Sequence, residues 1–107
     1  MRIFFDQGTP VPLRRFLNPH HVETAFERGW STLGNGELLA VAEQEGFEVF
    51  VTTEKNLRET QTLSRGSIAI VVLSSTSWPR IQKAVTAVKQ AIDTARPGSF
   101  KKVDILG

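Results

Sequence analysis

The chain has 107 residues, of which 40% are apolar and 22% charged, and these values indicate one globular domain spanning residues 1–107. It contains no cysteine, which excludes a disulfide scaffold, a cysteine-based zinc or iron–sulfur site and a thiol nucleophile. The net charge of +2 is unevenly divided, because residues 1–79 carry −2 and residues 80–107 carry +4. No apolar run approaches the ~20 residues of a membrane span, and Asp6 interrupts any signal-peptide core. We therefore expect a cytoplasmic protein without a membrane segment.

Strand-like and helix-like segments alternate along the chain. Short apolar runs predict five strands, at residues 1–5, 21–25, 47–52, 67–73 and 100–106. Helical spacing predicts helices at residues 11–17, 37–45 and 78–95, with a short helical or irregular piece over 53–65. Thr9 before Pro10 has the pattern of a helix N-cap, and Gly46 that of a helix end. Strands separated by helices pair in parallel, so we predict a three-layer α/β/α domain with a mainly parallel central sheet of four or five strands.

Polar residues follow the predicted strands at the edge where such a sheet binds ligands. Asp6 follows the first strand, Glu54 follows the third, and Glu37 opens the helix that leads into the third. We expect these three carboxylates to converge. The neighbouring polar residues are Asn35, Thr52, Thr53 and Asn56. Oxygen ligands of this kind suit Mg²⁺ or Mn²⁺, which activate water and stabilise charge on a phosphodiester.

Each candidate ligand also has an interpretation that needs no metal. Asp6 and Asn56 are residue types that bond turn amides. Glu37 and Glu54 carry negative charge where a helix or turn begins, and the helix dipole favours it there. The convergence at one edge, rather than any single residue, supports a site.

Other conspicuous residues give weaker indications. His20 and His21 are adjacent, so on a strand they point to opposite faces and cannot easily chelate one ion. The segment Gly34-Asn35-Gly36 lacks the lysine and hydroxyl residue of a phosphate-binding loop. Trp30 is expected in the core or its rim, with stacking on a nucleobase as the alternative.

Three short motifs occur in the order found in a known family. Phe5-Asp6 ends the first strand, the stretch 35–39 reads NGELL after Gly29-Trp30, and the third strand runs into VTTEKNL at 51–57. In this order they resemble the short PIN-like proteins, compact relatives of the PIN-domain ribonucleases, over roughly residues 1–95.

The resemblance implies a PIN-like domain with metal-dependent endoribonuclease activity, acting as the toxin of a toxin–antitoxin pair. It implies Asp6, Glu37 and Glu54 as the catalytic, metal-binding acids, with Asn56 as a further ligand for Mg²⁺ or Mn²⁺. The auxiliary residues are Thr52, Thr53 and Asn35. The expected partners are an RNA substrate, a cognate antitoxin protein and a second copy of the chain. The basic residues expected to follow the RNA backbone are Arg80, Lys83, Lys101 and Lys102.

The sequence departs from the family pattern at the proposed site. The family often has Glu after the first Asp, where this chain has Gln7, and a Thr-x-Asp-x-Asp arrangement after the third strand. Here Thr52 is kept, Glu54 replaces the first acid and the neutral Asn56 replaces the second. Loss of a carboxylate weakens divalent-metal affinity, so the alternative is a catalytically degenerate PIN-like binding or regulatory module. A receiver-like domain fits less well, because Asp6-Gln7 lacks the acidic pair that receivers need.

Overall fold

A computed structural model describes residues 1–54 and 67–105, and within them five short strands form one sheet. The strands are β1 (Arg2–Phe5), β2 (His21–Thr24), β3 (Val49–Thr52), β4 (Ala69–Leu73) and β5 (Phe100–Val103). Every neighbouring pair is parallel, and the spatial order is β2-β1-β3-β4-β5. The predicted α/β domain with a mainly parallel sheet is confirmed.

Helical segments cover both faces of the sheet. They are a 3₁₀ helix (Val11–Leu17), α1 (Asn35–Gln44), α2 (Trp78–Lys83) and α3 (Val85–Asp93). The 3₁₀ helix, α2 and α3 pack on one face, and α1 packs on the other, which gives the three predicted layers. Within residues 1–54 and 67–105, no helix is long and apolar enough to cross a membrane.

Strand β1 shows how the sequence produces two cores from one sheet. Its side chains alternate, so Ile3 and Phe5 join the core under α2 and α3, whereas Phe4 joins the core under α1. The Phe4 ring stacks on Phe50 with 5.8 Å between ring centroids, and it lies 5.5 Å from the Trp30 ring. Because both faces are covered, the three buried residues that follow Arg2 in this strand are all apolar, as in other buried parallel strands.

Two predicted helical features differ in the structure. The helix predicted over 78–95 is divided at Ala84, whose N–H bonds Ile81 at 2.9 Å in a tighter turn than the α-helix has. The segment 11–17 forms a 3₁₀ helix in which Pro10 occupies the cap position and no side chain caps the first turn. Thr9 is therefore not the helix cap that was predicted, and its hydroxyl bonds elsewhere. The piece predicted over 53–65 lies almost entirely outside the described residues.

The strand order places a crevice between β1 and β3. The chain leaves β1 for β2 on one side and later returns to β3 on the other, so the connections diverge at the carboxyl ends of β1 and β3. Ligands of open α/β sheets bind at this kind of topological switch point. The backbone N–H of Asp6 donates to Val51 O at 3.1 Å, which extends the pairing of the two strands to the edge of the crevice.

Candidate functional site

Asp6 is the buried acid at the end of β1. Only 3% of the residue is exposed, although it lies directly at the crevice. Its Oδ1 accepts hydrogen bonds from Thr9 N at 3.1 Å and from Thr9 Oγ1 at 2.7 Å. Its Oδ2 accepts from Thr52 Oγ1 at 2.5 Å. The carboxyl group is thus fixed in one orientation by residues from its own turn and from β3.

Burial decides the protonation behaviour of Asp6. Removal from water raises the pKa of its carboxyl group above the usual range, and hydrogen bonds from Thr52 and Thr9 offset part of that effect. A raised pKa makes the ionised form less favourable in the folded chain than in the unfolded chain. A buried carboxyl at a crevice with a perturbed pKa is a typical mark of a functional site, although structural networks produce such shifts too.

The turn after Asp6 passes very close to β3. A Cβ placed on Gly8 would lie 2.4 Å from Thr53 Oγ1, so a side chain at position 8 requires Thr53 to move. Glycine at this position allows the turn and the end of β3 to form one continuous wall of the crevice. Thr52 also supports this wall, because its Oγ1 accepts a hydrogen bond from Glu54 N at 3.0 Å.

Residues from four parts of the chain line one open cleft of about 560 Å³. They are Asp6, Gln7, Gly8, Asn35, Thr53, Glu54 and Thr76. They follow β1, β3 and β4 or begin α1, so the parallel sheet explains why they meet. The predicted residues Asp6, Glu54, Asn35 and Thr53 therefore do come together, and Thr52 lies directly beneath them through its bond to Asp6.

Glu37 was expected to converge with Asp6 and Glu54, but its side chain lies elsewhere. It is exposed and does not belong to the lining of the cleft in the described part of the chain. Its Oε1 accepts a hydrogen bond from Gly34 N at 3.2 Å, which secures the start of α1 as in a capping box. The predicted ligand Asn56 lies outside the described residues.

The side chains that line the cleft offer oxygen atoms, which are the ligands that Mg²⁺ prefers, but they include only two carboxylates. Within residues 1–54 and 67–105, no three carboxylate or imidazole groups lie close enough together to hold a metal ion. Mg²⁺ commonly uses one or two protein carboxylates and completes its octahedron with water and substrate phosphate. Asp6 and Glu54 supply two carboxylates, and Asn35 supplies an amide oxygen. These residues fit such an ion as oxygen donors.

The predicted RNA-binding lysines and arginines fall into two groups. Arg80 and Lys83 are exposed on α2, which starts beyond Thr76 at the edge that holds the cleft. Lys101 and Lys102 lie on β5 and line a separate groove of about 490 Å³ against α3. The four basic residues therefore do not form a single strip beside Asp6.

The histidines and Trp30 have structural partners. His20 Nε2 lies 2.9 Å from Asp93 Oδ1, and His21 Nε2 lies 2.6 Å from Glu23 Oε2. The Trp30 ring packs on Phe4, which places Trp30 at the core under α1. The alternative role of Trp30 in stacking on a nucleobase gains no support from this position.

Two contributors to the site were not identified from the sequence. Thr9 bonds Asp6 through both its amide and its hydroxyl, and the spacing Asp-x-x-Thr is a pattern in which such local bonds form. Phe26 is the second: it lines a smaller pocket that shares Asp6 and Gln7 with the cleft, and no periodicity distinguished it from the core aromatics. Its side chain is 81% exposed at the same end of the sheet.

Comparison of the chain with protein-family models, with curated proteins and with solved structures found no match in any of the three.

Proposed function

We propose that the protein is a metal-dependent endoribonuclease of the PIN-like class. The observation that carries this proposal is that two carboxylate residues, Asp6 and Glu54, line the same polar cleft at the topological switch point. The order of the sequence motifs supports the same activity. We further propose that the protein acts as a toxin held by an antitoxin, which is a finer inference from the motif resemblance alone.

Asp6 and Glu54 would hold Mg²⁺ or Mn²⁺ in this proposal, with Asn35 and Asn56 as additional oxygen donors. When bound, such a cation stabilises the charge that develops on a phosphodiester and makes water more acidic. The protein itself contributes a preorganised orientation of the Asp6 carboxyl group. Thr9 and Thr52 fix the Asp6 carboxyl group before any ligand arrives, so little reorganisation is needed there.

The remaining groups of the cleft suit a sugar–phosphate chain. Thr53 and Thr76 provide hydroxyl groups that can donate to phosphate oxygens, and Gln7 provides an amide in the same lining. Arg80, on the first turn of α2, adds a positive charge near this edge. The cleft is open rather than enclosed, as a site for a polymer needs to be.

Cleavage of RNA by matched variants tests the proposal. Purified protein is incubated with single-stranded RNA in Mn²⁺, in Mg²⁺ and in excess chelator. We expect metal-dependent cleavage that falls at least about 100-fold in Asp6→Asn and Glu54→Gln, since even the outer partners of a metal site change activity by ~10–100-fold. Glu48→Gln is the matched control, because Glu48 precedes β3 at the opposite edge of the sheet and bonds Arg2 N. Cleavage that persists in chelator, or that is unchanged in Asp6→Asn, would contradict the proposal.

A binding or regulatory module without catalysis is the second candidate. It is favoured by the fact that two of the predicted acids already have hydrogen-bond partners. Asp6 accepts three hydrogen bonds, and Glu37 accepts one at the start of its own helix. Calorimetric titration with Mn²⁺ separates the two functions. Binding that is lost in both Asp6→Asn and Glu54→Gln supports the nuclease, and the absence of binding to the wild type supports the module.

A further inference from the structure

A small pocket opens on the side of Asp6 that faces away from β3. It has a volume of about 140 Å³, and its wall includes Thr24, Ser31, Val11 and Phe26. Phe26 and Val11 are exposed by 81% and 53%, so two apolar side chains stand in water at the rim. Isolated exposed apolar residues are ordinary, but these two border the same buried carboxyl group.

The turn that carries Phe26 is held by several hydrogen bonds, which fix the backbone position of this residue. Thr24 N donates to Glu27 Oε1 at 3.0 Å, and Glu27 N donates to Thr24 Oγ1 at 3.2 Å. Arg14 Nη2 bonds the same Glu27 oxygen at 2.6 Å. Gly29, with φ of +74°, closes the turn through its N–H bond to Phe26 O at 3.1 Å. The exposed ring is thus attached to a hydrogen-bonded turn at the rim of the pocket.

The pocket and the main cleft form neighbouring parts of one surface. Both are lined by Asp6 and Gln7, and the Gln7 side chain donates to Ser31 O across the boundary between them. A ligand that extends along this edge of the sheet would pass from Glu54 over Asp6 to Phe26. The volume beside Phe26 suits one planar ring and is too small for a helix or a folded segment.

Positive charge near the pocket comes from the 3₁₀ helix that begins at the lining residue Val11. Arg14 on this helix is paired with Glu27, so the exposed Arg15 supplies the remaining positive charge there. Neither arginine lines the pocket, and the ionisable residue in its lining is Asp6. The feature that matches a strand with flat bases is therefore the exposed Phe26 ring beside a pocket of this size.

We infer that the pocket between Phe26 and Asp6 is a nucleobase-binding subsite, in which one base of single-stranded RNA stacks on the Phe26 ring. This inference rests on the proposed function, because it places the base next to the phosphate that the cleft would hold. The contact is sequence-tolerant, since every base has a stacking face.

The test measures binding without cleavage. Fluorescence anisotropy in excess chelator gives the Kd of labelled single-stranded oligoadenylate and of a ribose-phosphate oligomer of equal length without bases. Phe26→Leu removes the ring while keeping apolar volume, and Phe26→Tyr keeps the ring. Phe16→Leu is the matched control, because Phe16 is also partly exposed but packs on Trp78 at 5.8 Å between centroids. Thermal unfolding checks that the folded state is retained.

We expect Phe26→Leu to weaken oligoadenylate binding by about 5–150-fold, which is the range for loss of one stacked base. Phe26→Tyr and Phe16→Leu should bind as the wild type does, and the base-free oligomer should bind wild type and Phe26→Leu equally. Equal affinity of Phe26→Leu and wild type for oligoadenylate would overturn the inference and leave a protein partner as the occupant to seek. No measurable binding by the wild type, or an equal loss on the base-free oligomer, would also overturn it. Failure of the cleavage assay with these results intact would reject the nuclease and retain the subsite.

Discussion

Asp6 Oδ2 accepts a hydrogen bond from Thr52 Oγ1 at 2.5 Å, and this contact joins the ends of the two central strands, β1 and β3. Thr52 is fully buried, and the same hydroxyl oxygen accepts from Glu54 N at 3.0 Å. One hydroxyl group therefore links the buried acid of the cleft to the backbone of the exposed one. Buried networks of this kind fix side-chain geometry when all their members are satisfied.

Substitutions of Thr52 should separate the effect of side-chain shape from the effect of its hydrogen bonds on stability and on cleavage. Thr52→Val keeps the volume but leaves Asp6 Oδ2 and Glu54 N without this partner, so we expect a loss of about 1–3 kcal/mol in the free energy of unfolding. We also expect about 10–100-fold lower metal-dependent cleavage, because the support of an acidic ligand is removed. Thr52→Ser should retain most of the activity. Urea denaturation and initial cleavage rates measure both effects, and equal activity of the Val and Ser variants would contradict the account.

The burial of Asp6 predicts a pH dependence of stability with a definite sign. Burial raises the pKa of Asp6, so the folded chain binds this proton more tightly than the unfolded chain does. The resulting stabilisation is fully present below the unfolded pKa and is lost as the pH rises through the folded pKa. Relative to Asp6→Asn, the wild type should lose stability over that window.

Denaturant unfolding in chelator at a series of pH values measures this difference. If the stabilities of the wild type and Asp6→Asn change in parallel from acidic to neutral pH, Asp6 does not have the protonation behaviour described above. Mn²⁺ affinity should move in the opposite direction and increase with pH, because the metal competes with the proton on Asp6.

The close approach of Gly8 to Thr53 predicts a compensating pair of substitutions. Gly8→Ala places a Cβ 2.4 Å from Thr53 Oγ1, so the threonine must rotate or the turn must shift. We expect a loss of about 1–3 kcal/mol in the free energy of unfolding, typical of overpacking. Thr53→Ala removes the obstructing oxygen, and the double variant should recover most of the loss. A double-mutant cycle checks this coupling, and purely additive effects would show that the contact is unimportant.

Glu37 and Glu54 should respond differently to neutralisation. Glu37→Gln keeps the bond to Gly34 N, so we expect little change in stability and a smaller loss of cleavage than in Glu54→Gln. Glu37→Ala removes the bond and should cost about 0.5–2 kcal/mol in stability. Cleavage rates and unfolding curves for the three variants make the comparison. A loss of cleavage in Glu37→Gln as large as in Glu54→Gln would place Glu37 among the metal ligands, as the motif resemblance implies.

The sequence predicted the sheet because the relevant signal is local. Continuous apolar runs, such as residues 3–5 of β1 and the whole of β4, separated by segments of helical spacing, leave few alternatives to a parallel arrangement. The break at Ala84 was not predictable in the same way. The apolar stripe runs through that position, with Ile81 and Val88 both buried on either side, so periodicity does not reveal where the helix divides.

Site residues were predictable where the strand order determines their position, and less predictable where the position of a side chain depends on its hydrogen-bond partner. Asp6 and Glu54 meet because β1 and β3 are neighbours, which follows from the fold. Glu37 is near in the chain to the cleft-lining Asn35, but a bond to its own helix start takes its side chain. Thr9 has the pattern of a cap and instead bonds Asp6, because Pro10 occupies the cap position. Competition between such local bonds depends on geometry that the pattern of residues does not specify.

Anomalous diffraction from crystals soaked in Mn²⁺ locates the ion without reference to activity, and so tests whether Asp6 and Glu54 hold a metal. We expect one peak in the cleft between β1 and β3, within coordinating distance of the carboxylates of Asp6 and Glu54. The peak should disappear in Asp6→Asn crystals grown and soaked in the same way. A wild-type cleft without a peak under saturating Mn²⁺, or a peak bound only by residues outside the cleft, would contradict this expectation.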